Sequence, residues 1–156
     1  MKEILFFKGK YKIITRPEFA PKAKKFYNKL FELFEFRGFN CKKIESNSKK
    51  QVKSYISNET SYLVGHSKGA TRILKEFAPK QNPQIKGVVL FDPKQTYKEE
   101  YNKLHIPKLL FVSTINQSQN YSGFKDIIKI NDDHYFNNSK QKVFPIIKKF
   151  IQKPKD

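Results

Sequence analysis

The sequence contains one cysteine, Cys41, so an intramolecular disulfide framework is excluded. Within the second apolar run, Cys41 reads as a strand residue behaving as a small hydrophobe rather than a reactive thiol. No apolar run approaches the ~18 residues of a membrane span. The N-terminal apolar run, residues 4–7, is too short for a signal-peptide core. The expectation is therefore a cytoplasmic chain with no membrane span. There is no internal repeat and no low-complexity linker, and 156 residues suffice for one core, so residues 1–156 are expected to form a single domain. Acidic residues are scarce: 14 Asp and Glu stand against 32 Lys and Arg, a net charge of +18. Such a charge attracts nucleic acid, anionic lipid or an anionic substrate. Yet no basic block of five or six residues occurs. The basic pairs, among them Lys24-Lys25, Lys42-Lys43, Lys49-Lys50 and Lys148-Lys149, are dispersed. Lys, Asn, Ile and Phe are enriched together, which reads as a compositional bias producing dispersed surface charge. No RNA- or DNA-binding motif is present, so nucleic-acid binding is not favoured.

What the chain does have is aromatic and apolar material, 15 Phe and 8 Tyr, arranged as short apolar runs alternating with helical periods. Residues 4–7, 39–44, 62–65, 85–91, 109–112 and 126–130 read as six strands. Residues 21–37 read as a helix, with Ala23, Phe26, Tyr27, Leu30, Leu33 and Phe34 on one face and Gly38 beyond its end. Residues 48–57 read as a short helix, and residues 68–77 as a helix with Ala70, Ile73, Leu74 and Phe77 inward. Residues 143–151 read as a terminal helix, in which Pro145 argues for a start later than the periodicity implies. Apolar strands alternating with helices predict a three-layer α/β/α sandwich around a mostly parallel sheet of about six strands. In such sheets working groups gather at the carboxyl ends of the strands. The positions so selected are residues 8–15, Ser67, Asp92, residues 113–116 and residues 131–135.

One of these positions carries a motif. Gly65-His66-Ser67-Lys68-Gly69 follows a strand and opens a helix. In that setting G-x-S-x-G is the sharp turn that presents a nucleophilic serine. Such a serine needs a base, and the base needs an orienting partner. Of the three histidines, His66 adjoins Ser67 and points to the other side of an extended segment, so it reads as packed beneath the turn. His105 precedes the fifth strand, at the wrong end of the sheet. His134 follows the sixth strand and is the candidate base. The acid is Asp92, at the end of the fourth strand, or Asn116, after the fifth; an Asn accepts the imidazole hydrogen bond without stabilising its positive charge. Asp132 and Asp133 are too near His134 in sequence to orient its ring. An oxyanion site needs two backbone N–H donors. Lys68 supplies one. The loop after the first strand, where Gly9 permits close approach, supplies the other, with Lys10 ahead of Tyr11.

These residues resemble the alpha/beta-hydrolase superfamily over almost the whole chain. Residues 4–9 resemble its strand-plus-His-Gly segment, with Lys8 in place of His. Residues 65–69 match its nucleophile elbow, 106–112 its I-P-x-L strand, and 133–136 the D-H-x-F around its histidine. The order Ser, acid, His is also that of the family. The resemblance places the usual acid near Asn116; some members carry it one strand earlier, where Asp92 stands. It also implies a minimal core: the two strands that usually begin the fold are missing. Too few residues separate Asp92 from the fifth strand to build a cap.

The expected activity is that of a serine esterase. It would cleave a small ester or thioester through an acyl-enzyme, with Ser67, His134 and Asp92 as the triad and the Lys68 and Lys10 N–H groups as the oxyanion site. The resemblance requires no metal or organic cofactor. Lysines at positions 8, 10 and 68 surround that site and point to an anionic substrate. The rival expectations are a catalytically inactive hydrolase-like binding protein and, behind it, a basic nucleic-acid-associated protein.

Overall fold

Each of the six apolar runs becomes a strand: β1 (Glu3–Phe7), β2 (Asn40–Ile44), β3 (Ser61–His66), β4 (Ile85–Phe91), β5 (Lys108–Ser113) and β6 (Ile127–Ile130). The computed structural model describes residues 3–7, 20–36, 40–44, 61–79, 82–115, 121–136 and 138–152. The strands form one sheet in the order β2-β1-β3-β4-β5-β6. Every neighbouring pair is parallel, with Leu63 opposite Val88 and Leu90 opposite Leu110 in the central registers. The chain thus starts inside the sheet, steps out to β2, returns past β1 to β3 and proceeds strand by strand to β6. The direction reverses between β1 and β3, and the crevice beyond their carboxyl ends is where sheets of this kind place ligands.

Parallel neighbours cannot be joined by tight turns, so helices make the crossings. Among the described residues these are α1 (Ala20–Phe36), α2 (Lys68–Phe77) and α3 (Lys98–Asn102); a further helix, α4 (Lys140–Gln152), follows β6. The predicted helix at 48–57 lies outside the described residues. The period-two alternation of the strands sorts side chains to two cores. Leu63, Val88, Leu90, Leu110 and Val112 face α2, where Ala70, Ile73 and Leu74 meet them, and Tyr101 of α3 joins the same cluster. Tyr62, Val64, Val89, Phe91 and Phe111 face the opposite side, against Leu30 and Phe34 of α1 and Val143, Ile147 and Ile151 of α4. Phe34 meets Phe144 edge to face with ring centroids 4.9 Å apart, tying α1 to α4. The result is the three-layer sandwich. Among the described residues no helix is long and apolar enough to cross a membrane.

One local expectation is corrected and one element added. The terminal helix starts at Lys140, before rather than after the predicted start, and keeps Pro145 inside it. Pro145 is exposed and lies one turn into the helix, where its ring removes one N–H from the ladder that Val143 has already begun with its bond to the Ser139 carbonyl at 2.9 Å. The segment after β4, which carries no helix in the sequence reading, holds a short 3-10 turn (Gln95–Tyr97) and α3. Their polar sequence, Gln-Thr-Tyr-Lys-Glu-Glu-Tyr-Asn, buries only Tyr101 and so carries no apolar period. Cys41 lies half-buried in β2, and burial, reinforced by the Glu35 carboxylate, pushes its thiol up to about 12. It remains protonated at neutral pH, as a packing residue should.

The elbow constrains Gly65 most tightly. A Cβ there would lie 2.7 Å from the Ala70 nitrogen, 2.7 Å from the Gly69 carbonyl carbon and 2.8 Å from its oxygen. All three are backbone atoms of α2 that cannot step aside. Gly65→Ala is therefore expected to destabilise the fold by about 1–3 kcal/mol, read as a lowered urea midpoint; an unchanged midpoint would mean that α2 does not press on β3 there.

Candidate active site

Ser67 closes β3 and opens α2 with φ 54° and ψ −113°. A non-glycine residue in this region costs of the order of 1–3 kcal/mol and persists only where its surroundings impose it. Here they do. The Ser67 N–H donates to the Phe91 carbonyl at 2.8 Å. Its own carbonyl accepts from the Thr71 N–H at 3.0 Å and the Thr71 hydroxyl at 3.1 Å. The serine is thus held between β4 and the first turn of α2, at the apex of the turn.

Asp92 ends β4 in the left-handed region, φ 45°, a conformation Asp tolerates. Its N–H still donates to the Phe111 carbonyl at 3.1 Å, so the backbone stays on the ladder while the carboxylate turns toward β5. The residue is 1 % exposed. One carboxylate oxygen, Oδ1, accepts the Ser113 N–H at 2.9 Å. The other, Oδ2, accepts the Ser113 hydroxyl and lies 2.9 Å from His134 Nδ1. On the far side of the ring, His134 Nε2 lies 3.0 Å from Ser67 Oγ. A carboxylate only accepts, so Nδ1 carries the proton of the neutral ring. Nε2 then presents its lone pair to the Ser67 hydroxyl. The imidazole is 36 % exposed, open to a reactant, whereas Asp92 beneath it is sealed.

The loop after β6 that carries His134 is fixed by a second carboxylate. Asp132, 3 % exposed, accepts the Asp133 N–H at 2.7 Å, the Asn138 N–H at 2.8 Å and the Ser139 hydroxyl at 2.6 Å. Burial opposes its ionisation, but these three hydrogen bonds together with the Lys140 charge outweigh it and hold the carboxyl below its usual range. From the other side, His66 Nε2 lies 2.6 Å from the His134 carbonyl. A carbonyl only accepts, so His66 is the donor. Its ring packs against His134 and Tyr135 with centroids 4.9 and 5.8 Å away. Phe136, with φ 52°, is a bulky residue in a conformation such residues avoid; full burial of its ring against Phe91 fixes it there. Tyr121 donates to the Pro93 carbonyl at 2.5 Å and so clamps the turn after Asp92.

The structure therefore brings Ser67, His134 and Asp92 together, and Lys68 opens α2 beside Ser67. Lys8, Gly9, Lys10, Tyr11 and Asn116 lie outside the described residues. His66 sits buried beneath the turn, as expected, and there it holds the backbone of His134. His105 lies just before β5, away from the site. Sequence reasoning missed Ser113 and Asp132 as positioning residues. Ser113 is signalled only as the polar residue that ends the apolar run of β5. Asp132 was set aside as too close to His134 to orient the ring; it orients the loop instead. A cleft of about 530 Å³ opens from Ser67 along α2, with Lys68, Arg72 and Lys75 on one wall and Lys94 and Tyr97 on the other.

Burial, then the nearby His134, lowers the His66 imidazole from 6.5 to about 4. Below pH 6.5 the unfolded chain takes up a proton that the folded chain refuses until about pH 4, so stability falls as pH drops across that interval. His66→Gln keeps an N–H toward the His134 carbonyl and does not titrate. Urea midpoints measured across that interval are expected to fall less steeply for the variant than for the native chain; parallel curves would mean that His66 titrates freely.

No protein-family model matches the chain, and no curated protein matches it in sequence. Its likenesses are to solved structures. It resembles the esterase domain of a Rhodothermus marinus protein at TM-score 0.59 and 13 % identity, over 94 % of this chain and 83 % of that one. It resembles a protein from Pectobacterium atrosepticum described as a yden-like hydrolase at TM-score 0.57 and 12 % identity, over 96 % and 92 %. An extracellular alpha/beta-hydrolase from a Paenibacillus species matches at TM-score 0.57 and 14 % identity, over 96 % and 98 %. With six parallel strands in this order and a serine at the turn after β3, the chain has the alpha/beta-hydrolase fold, in a minimal form among its described residues.

Proposed function

We propose that the chain is a serine hydrolase of esterase type that cleaves a small ester or thioester. The observation that carries this reading is the unbroken hydrogen-bonded line from the buried Asp92 carboxylate through His134 to Ser67, with spacings of 2.9 and 3.0 Å. Ser67 Oγ attacks the carbonyl carbon while its proton passes to His134 Nε2. The imidazolium that forms is stabilised by Asp92, already bonded to Nδ1. The Lys68 N–H and a second donor from the loop after β1, Lys10, receive the oxyanion. The carbonyl carbon then releases its alcohol or thiol oxygen or sulfur, which takes the proton from Nε2, leaving the acyl group on Ser67. A water molecule attacks that acyl group, gives a proton to Nε2, and the acid departs as Ser67 recovers the proton. The sum is ester plus water to acid plus alcohol.

Two further facts support the reading. The strained φ of Ser67 holds the hydroxyl at a turn apex, where a reactant reaches it. The proteins of like fold include one named as an esterase domain and others named as hydrolases. Ser113 acts through Asp92: its two donors keep the carboxylate aimed at Nδ1.

A fluorophosphonate probe is expected to label the native chain and not Ser67→Ala. Asp92→Asn is expected to slow hydrolysis of short-chain esters about a thousandfold or more. A folded native chain that the probe leaves unlabelled, or an Asp92→Asn variant of native rate, would overturn the proposal.

A further inference from the structure

The cleft that opens from Ser67 is larger than an acetyl ester needs, and its walls carry charge. Its volume of about 530 Å³ falls within the range of small-molecule sites. One wall is a face of α2. Lys68, Thr71, Arg72, Lys75 and Glu76 recur there at the spacing i, i+3, i+4, i+7, i+8, a single helical stripe. Arg72 is 4 % exposed and pairs with Glu76 at 3.2 Å, so these two charges largely cancel in the floor. Asp92, the other acid among the described residues lining the cleft, is bonded to Ser113 and His134. Among the described lining residues, what remains to set the field are three exposed lysines. Lys68 and Lys75 belong to α2. Lys94 belongs to the facing turn, and its N–H donates to Thr71 Oγ1 at 2.9 Å, which fixes that turn over the first turn of the helix. Cations from two separate elements thus converge on one concavity that ends at the nucleophile.

We infer that this cleft selects esters bearing a carboxylate or phosphate several bonds from the scissile carbonyl, with Lys75 and Lys94 as specificity-determining residues. The inference rests on the hydrolase reading and deepens it by naming the substrate class. The span is set by the helix: α2 rises about 10 Å between Lys68 and Lys75. An anion held between Lys75 and Lys94 therefore lies beyond the reach of the atoms directly bonded to the carbonyl carbon. Partial enclosure lengthens the reach of these charges compared with lysines on an open face. Tyr97 on the same wall offers a ring surface for the linking atoms.

The test compares 4-acetoxybenzoate with its methyl ester. The two share the acetyl group and hence the same acyl-enzyme, so their kcat/KM ratio reports recognition of the carboxylate. A second pair, mono-4-nitrophenyl adipate against 4-nitrophenyl hexanoate, moves the charge to the acyl side. Each rate is divided by that of hydroxide-catalysed hydrolysis of the same ester. The inference expects the corrected ratio in at least one pair to favour the anion. It expects that ratio to fall about tenfold in Lys75→Glu and in Lys94→Glu, and to fall with added salt. Because the readout is a ratio within one protein sample, a loss of folded protein in a variant does not mimic the effect. Equal corrected rates in both pairs, or a ratio indifferent to both substitutions, overturn this inference and leave the hydrolase reading standing. No turnover of any of the four esters, with Ser67 unlabelled by a fluorophosphonate, overturns both.

Discussion

The interaction on which this structure turns is the burial of one carboxylate. Asp92 is sealed from solvent at the junction of β4, β5 and the loop after β6. A buried charge without partners is prohibitively costly, so the site exists only because donors converge there. Two come from Ser113 and one from His134. Each donor belongs to a different element from Asp92 itself. The carboxylate therefore ties the ends of neighbouring parallel strands together, and in doing so it determines which nitrogen of His134 bears the proton. The chemistry proposed for Ser67 depends on that assignment.

Around this point the scaffold is rigid for reasons unrelated to chemistry. The sheet sorts Leu63, Leu90 and Leu110 to one core and Val64, Phe91 and Phe111 to the other. Those residues fix where each strand stops, and the stops fix Ser67, Asp92, Ser113 and the approach to His134. The unfavourable backbone of Ser67 and of Phe136 is held by this packing. His66 and Asp132 grip the His134 loop from two sides through its carbonyl and its flanking N–H groups. The groups proposed to react are thus set by elements, not by the loops alone, which is how small scaffolds keep sub-ångström tolerances.

Much of this was legible in the sequence, and the reasons are specific. Strands buried on both faces are apolar throughout, so β4 and β5 stood out as runs. The helix from Lys68 to Phe77 has both a clean apolar stripe and an abrupt start, and its limits were read without error. Ser67, His134 and Asp92 stood out as candidates because each lies at the carboxyl end of a strand, and the structure brings the three within hydrogen-bonding distance. That rule did not choose between Asp92 and Asn116: Asp92 lies 2.9 Å from His134 Nδ1, and Asn116 lies outside the described residues. Ser113 and Asp132 were not legible as positioning residues: their roles come from hydrogen bonds across the sheet and across a loop, which leave no period. The same holds for α3, whose polar surface offers no stripe. Lys68 was legible as a neighbour of the serine, whereas Lys75 and Lys94 were visible only as members of a dispersed excess; what distinguishes them is the concavity they share with Lys68.

The central claim is that Asp92, His134 and Ser67 form one hydrogen-bonded unit, and proton NMR of the imidazole N–H groups tests it most directly. A proton on His134 Nδ1, held 2.9 Å from a buried carboxylate oxygen, is expected to resonate far downfield of ordinary ring N–H signals. That resonance is expected to persist in Ser67→Ala and to vanish in Asp92→Asn and in His134→Gln. Its absence from the native chain, or its survival through both of the latter substitutions, would contradict the account.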